Sequence, residues 1–220
     1  MKRSLITFTA ASLICLSAAA QDKENKSKIV RFSNITEATV GFQLGETTRV
    51  TSFASGESEV DVAGHKIPAP RISTSFGALI GDVLYVGPGF AYTYQPSDSN
   101  NQEEHQFSVY GHARLNFATG KIRPFSDFKG GYHFASLKEV DQALDPDWYK
   151  WDGFFLEPAL GISFQIGNHA FLNTSLGYQF VNAGNRIEQT IQDENGESLV
   201  NATLNEKYHR FLFSLGFTFL

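Results

Sequence analysis

Arg210 to Leu220 reads R-F-L-F-S-L-G-F-T-F-L, and this alternation constrains the chain more than any other segment. Side chains of a strand point alternately to its two faces. Phe211, Phe213, Leu215, Phe217 and Phe219 therefore share one face, while Leu212, Ser214, Gly216 and Thr218 share the other. Five large apolar side chains from each of several strands would overfill a small soluble barrel. The greasy face is therefore expected to meet lipid, with the small and polar face turned inward.

The same pattern recurs from Thr36 in segments of roughly ten residues, the length a membrane-spanning strand requires. Candidate strands cover 36–47, 70–80, 83–95, 105–117, 122–135, 153–166, 170–182 and 207–219, which makes eight. Their connections alternate in length. Gly81-Asp82, Ala118-Thr119-Gly120-Lys121 and Gly167-Asn168-His169 are tight and rich in turn residues, whereas 48–69, 96–104, 138–152 and 183–206 are long and polar. A soluble sandwich has no reason to sort its loops this way. A barrel in an outer membrane does, with short periplasmic turns and long extracellular loops.

The N-terminus agrees. Lys2 and Arg3 precede an apolar stretch from Leu5 to Leu16, and Ala18-Ala19-Ala20 supplies small residues for cleavage before Gln21, so residues 1–20 read as a secretory signal peptide. Residues 21–35, charged and polar, read as a periplasmic lead-in, and 36–220 as the barrel. Removing the signal would shift the formal net charge from -5 to about -7, because Lys2 and Arg3 leave without any acid, and would discard the single cysteine, Cys15. A mildly acidic chain without a basic cluster argues against nucleic acid as a partner. No apolar run after residue 20 is long enough for a membrane helix. Strands must then do the crossing, and they must close to leave no backbone group unpaired in lipid.

Parity assigns the faces. The proposed lipid side includes Val40, Phe42 and Leu44; Ile72, Phe76 and Ile80; Leu84, Val86, Phe90, Tyr92 and Tyr94; Phe107 and Val109; Phe128, Tyr132 and Phe134; Leu156 and Leu160; and Leu176, Tyr178 and Phe180, none of them charged. The other side carries glycine and small polar residues, such as Gly41, Ser73, Ser75, Gly77, Gly89, Gly161 and Ser175, which suit the narrow interior of an eight-stranded barrel. Inward parity also places Arg71, His112, Arg114, Asp127, Lys129, His133, Glu157 and Arg210 in the lumen. Symmetric pairing about the 118–121 turn sets Asp127 opposite His112 and diagonal to Arg114. Buried charges are costly unless paired, so an ion-pair network is expected to fill the lumen.

Two further features lie outside the membrane. The runs 186–193 and 197–204 flank Glu194-Asn195-Gly196, and an Asn-Gly step between strand-like runs is a hairpin signal, so the last two strands are expected to continue as a protruding ribbon. Trp148, Tyr149 and Trp151 are expected at the outer lipid interface.

With eight strands, sorted loops, a signal peptide and the C-terminal aromatic strand, the mature chain resembles the small outer-membrane barrels of the OmpA transmembrane-domain and OmpX type. Segments 124–132 and 156–161 look like the Gly-Tyr and Glu-x-x-x-Gly strands common in that group. The resemblance implies insertion by the barrel-assembly machinery, a salt-bridged lumen and capture of partners by strand addition. Relatives generally end on an aromatic residue, whereas here Phe219 is followed by Leu220. No soluble peptidoglycan-binding domain is expected after the last strand.

Catalysis is not indicated. His209 has lipid parity near the top of the last strand, Ser126 lies near the opposite rim and Glu157 points inward, so no working triad assembles. His65, His105 and His169 read as loop or loop-flanking residues. Asp141, Asp145 and Asp147 lack the spacing and central glycine of a calcium loop, so no metal and no cofactor is expected. The leading expectation is a non-enzymatic envelope protein whose partners are outer-membrane lipid and, through its loops, an extracellular protein or glycan. The alternatives are a small gated pore, a lipid-modifying hydrolase and a soluble lipocalin-like carrier.

Overall fold

The computed structural model describes residues 30–53, 56–62, 67–96, 102–139, 149–193 and 196–220. Residues 1–20, expected as a signal peptide, and Asp141, Asp145, Asp147 and Trp148 lie outside them, as do the side chains of Tyr149 and Trp151. The strands are β1 (Val30–Phe53), β2 (Gly56–Val62), β3 (Ala69–Ile80), β4 (Leu84–Gln95), β5 (Gln102–Asn116), β6 (Ile122–Glu139), β7 (Tyr149–Gln165), β8 (Ala170–Asp193) and β9 (Gly196–Phe219). All neighbouring pairs are antiparallel, in the order β2-β1-β3-β4-β5-β6-β7-β8-β9, and β1 also pairs with β9. That last pairing closes an eight-stranded up-and-down barrel, with β2 attached outside the ring.

Closure runs from Asn34↔Phe219 to Leu44↔His209, then resumes at Thr48↔Lys207 and ends at Ser52↔Thr203. The step inserts extra residues into β1, a bulge that bends the upper part of the strand. β1 starts six residues earlier than expected: Val30 to Ile35, read as lead-in, pair with Ile80 to Ser75 of β3. Arg31, Ser33 and Asn34 hid the alternation, yet Val30 and Phe32 are outward and half exposed while Ser33 and Ile35 are buried. Outward Thr36 and Thr74 bond each other at 3.0 Å, and the Asn34 amide donates to Thr74 at 3.1 Å, so these polar groups do not need water.

The alternation of the C-terminal strand appears directly in its exposure. Phe211, Phe213, Leu215 and Phe217 are 41–49% exposed, whereas Leu212 and Ser214 are 3% and 5%. Ile72, Phe90, Phe107, Phe128, Leu160 and Leu176 continue the outer apolar surface around the ring. A contiguous surface of this kind is incompatible with water and is what hydrocarbon requires. Near its outer edge, Tyr132 packs edge-on against Phe134 and Phe154, with ring centroids 5.1 and 5.0 Å away.

The three periplasmic turns follow local chemistry. Gly81 and Asp82 both take positive φ, 59° and 63°, and Val83 N–H donates to Ile80 C=O at 3.1 Å, as in a type I′ turn. The β5–β6 turn departs from the symmetric pairing. Phe117 N–H donates to Pro124 C=O at 2.8 Å, and Arg123 Nε to Gly120 C=O at 2.9 Å. This moves the register by two residues: Asp127 faces Arg114, and Lys129 faces His112.

Inside, glycine and small polar residues are only half of the arrangement. Tyr85, Tyr110, Phe125, Phe155, Phe171 and Tyr208 also point inward and are buried. The glycines make room for these rings. A Cβ on Gly89 would lie 2.4 Å from the Tyr110 ring, and one on Gly161 would lie 2.3 Å from that of Phe125. Ile35, Leu79, Tyr85, Phe171 and Leu220 form an apolar layer at the periplasmic end, and Ala91, Tyr110, Phe155, Val181, Ala183 and Tyr208 form another toward the outside.

Above the barrel, β8 and β9 run on as a paired ribbon to Asp193↔Gly196, so Gly196 lies in the strand and not in the turn. β2 was not foreseen, because its G-E-S-E-V-D-V has acidic residues where an apolar face would be sought. It pairs with β1 from Thr47↔Val62 to Phe53↔Gly56.

One prediction concerns the close strand packing. A Cβ on Gly131 would fall 2.1 Å from the carbonyl oxygen of Val109, whereas one on Gly120 meets nothing within 4 Å. Gly131→Ala should lower stability by about 1–3 kcal/mol or more, and Gly120→Ala should be nearly neutral, read as urea midpoints of the heat-modifiable folded band.

Candidate functional site

Every charged residue placed in the lumen by parity is found there. Arg71, His112, Arg114, Asp127, Lys129, His133, Glu157 and Arg210 are all at most 4% exposed. They are joined by Glu37 of β1, also buried, which links two of the cations. Glu37 shares the inward parity of Thr39, and that parity is its only signal in the sequence.

Two ties cross the full width of the barrel. β1 and β6 stand half the ring apart, as do β3 and β7. Lys129 Nζ donates to Glu37 Oε2 at 2.5 Å across the first gap, and Arg71 bonds Glu157 across the second. Lys129 also reaches Glu157 Oε1 at 3.2 Å, its direct neighbour in the β6–β7 register. Arg114 holds Asp127 through two parallel bonds, Nε and Nη2 each at 2.7 Å, and its Nη2 also reaches Glu37 at 3.1 Å. The network is continuous from Asp127 through Arg114, Glu37, Lys129 and Glu157 to Arg71. Two of its cations also lie on aromatic faces, the Arg114 guanidinium 3.8 Å from the Phe125 centroid and that of Arg71 5.7 Å from Phe155.

A second chain of contacts lies at the same level. Ser75 Oγ is 2.8 Å from His112 Nδ1, and His112 Nε2 is 3.1 Å from Asp127 Oδ1. This has the composition of a hydrolytic triad, and the sequence reading did not assemble it because Ser75 sits on β3, remote from both partners in the chain. Access and charge argue against such a role. Ser75 is 1% exposed, and both oxygens of Asp127 are already held by Arg114. Arg210 sits nearer the outside, donating to Gln106 at 3.0 Å and to Gln95 at 3.4 Å beneath the Tyr208 ring. His133 is buried, with no hydrogen bond to its Nε2.

Neither a protein-family model nor a curated protein sequence matches this chain. Solved structures do. The outer membrane protein OprG from Pseudomonas aeruginosa aligns with a TM-score of 0.51 at 12% identity, over 85% of this chain and 94% of that one. The chain is an eight-stranded barrel of the outer-membrane type. Neisserial surface protein A aligns over 87% of this chain and 99% of that one, at 14% identity and a TM-score of 0.45. The outer membrane protease OmpT from Escherichia coli aligns at 8% identity and a TM-score of 0.44, over 88% and 99% of the two chains. Likeness at these identities establishes the fold and leaves activity to the residues.

On the barrel's outer face, His209 accompanies a second outward histidine. His105 lies within β5 and not beside it, with its Nδ1 2.7 Å from the Tyr92 hydroxyl, and His209 Nδ1 is 2.5 Å from that of Tyr178. Ser126, in contrast, pairs in register with Leu115 and Leu160 toward the periplasmic side. The outward histidines thus meet tyrosines and not a serine. Among the described residues, no group of three or more His, Cys, Asp or Glu side chains is arranged to hold a metal ion.

The lumen network gives a sharp stability prediction. Glu37→Gln leaves Lys129 and Arg114 with one carboxylate each, an uncompensated buried charge that should cost about 3–5 kcal/mol. Adding Lys129→Met should recover part of that loss in the same urea titration. Equal midpoints for the wild type and Glu37→Gln would mean that the network is hydrated and not tightly coupled.

Proposed function

We propose that this protein is a non-enzymatic component of a bacterial outer membrane, in which a closed barrel acts as a rigid base for an extracellular binding sheet. The observation that carries this reading is the contrast between its two halves. The lumen charges are at most 4% exposed and tied across the diameter, as in a plug, whereas the strands continue far above the apolar band. There β2, the upper part of β1, β9 and β8 lie side by side.

Among the described residues, both edge strands of that sheet have one side with no strand paired to it. The pairing of β8 with β7 ends at Gly184 among the described residues, and β8 from 185 to 193 pairs with β9 alone. β2, among the described residues, pairs with β1 alone. Exposed strand edges present rows of N–H and C=O groups, and an extended segment of another protein can add to them. A protein partner is favoured over a glycan because recognition through backbone hydrogen bonds needs an extended peptide. Insertion by the barrel-assembly machinery and removal of residues 1–20 complete the proposed route to the membrane.

A gated pore is the alternative from a different class. It would require the Glu37–Lys129 and Arg71–Glu157 ties to part together, since each crosses the lumen. Planar-bilayer recording distinguishes the two: the plug predicts no stable large conductance.

Two outcomes are expected. Replacing 186–203 by a tight turn should leave heat-modifiable mobility intact and abolish binding of the native protein's surface partners, and retained binding would count against the sheet. A fluorophosphonate probe applied to the folded protein should leave Ser75 unlabelled, while labelling lost in Ser75→Ala would reopen the hydrolase reading.

A further inference from the structure

Two extracellular hairpins carry the same outward constellation. On β4 and β5, Tyr92 stands opposite Phe107 and Tyr94 opposite His105; on β8 and β9, Tyr178 stands opposite Phe211 and Phe180 opposite His209. In each case the diagonal tyrosine hydroxyl meets the imidazole Nδ1. The directly opposed ring packs on the imidazole, with centroids 5.3 Å apart for Tyr94–His105 and 5.2 Å for Phe180–His209. β5 and β9 lie half the ring apart, so the two clips face opposite sides of the barrel.

The pairing constrains the protons. A phenol is a better donor than a neutral imidazole N–H, so each Nδ1 accepts and each neutral ring keeps its proton on Nε2. That N–H lies on the far side of the ring from the tyrosine, where it can donate to a ligand. Both histidines stand just above the outward apolar rows, at the level of lipid headgroups. Two outward polar groups lie near His209. Lys207, two residues further out on the same face, is exposed, and Asn182, opposite it on β8, is exposed as well. Two residues of strand rise about 7 Å, a gap that the flexible lysine stem closes, so ammonium, carboxamide and imidazole N–H can converge on one phosphate group.

We propose that Lys207, Asn182 and His209 bind the headgroup phosphate of an outer-leaflet lipid, with Tyr178 orienting the imidazole. The site rests on the barrel lying in a membrane but not on the extracellular sheet having a partner. It would fix the height of the barrel in the outer leaflet on the β8–β9 side.

The test uses the full-length refolded barrel in dodecyl maltoside, titrated with phosphatidic acid, diacylglycerol or inorganic phosphate and followed by native mass spectrometry. Phosphatidic acid should give a saturable adduct that diacylglycerol and inorganic phosphate do not. Lys207→Met/His209→Phe should weaken it by about fivefold or more, equivalent to about 1 kcal/mol, the contribution of one cation near an anionic lipid surface. In 15N spectra, the His209 Nε2 resonance should move with phosphatidic acid only. Unchanged affinity in the double variant, equal binding of diacylglycerol, or equal binding of inorganic phosphate would each overturn the proposal. Should the double variant fail to show heat-modifiable mobility, Lys207→Met alone, at an exposed position, carries the affinity comparison.

Discussion

The seam between β1 and β9 is the condition for everything else in this molecule. In hydrocarbon an open sheet edge would leave a row of unsatisfied N–H and C=O groups, each costing several kcal/mol, so eight strands can persist there only as a ring. Pairing of the seam from Asn34↔Phe219 upward closes that ring, and closure fixes which side of every strand is inside. The outward rows of Phe, Leu, Ile and Val then need no partner but lipid. The inward rows must satisfy themselves in a space that side chains alone can fill.

The lumen meets that demand in layers. Apolar layers lie toward the two ends, and most of the charged groups lie between them, buried so that each ion depends on its partners. Glu37 and Glu157 each serve two cations, which holds opposite walls together. Replacing such a core by apolar side chains need not reduce stability, but removing one member does, because its partner is left charged and buried. The polar interior therefore specifies one arrangement of the strands, and the glycines facing Tyr110 and Phe125 specify where the rings go.

Much of this was legible in the sequence because a strand's period of two survives any error in its ends. Phe213 and Ser214 fall on opposite faces wherever β9 begins, and the lumen charges other than Glu37 follow from the same rule. Register was less legible. It depends on turn geometry, and the hydrogen bond from Phe117 to Pro124 displaced Asp127 from His112 to Arg114. Contacts across the lumen, such as Ser75 with His112 or Lys129 with Glu37, depend on strand order and stagger together and have no local signal. Strands outside the membrane were the hardest to read: β2 and the upper part of β1 need no greasy face, so their sequences look like loop.

The side of the strands that meets lipid can be measured directly. In a background with Trp148→Phe and Trp151→Phe, single tryptophans at Phe213→Trp and Phe155→Trp would be compared in vesicles whose acyl chains carry bromine. The outward position 213 should be strongly quenched and the inward position 155 scarcely at all. Equal quenching at both, or stronger quenching at 155, would contradict the orientation on which the barrel, its plug and its extracellular sheet all depend.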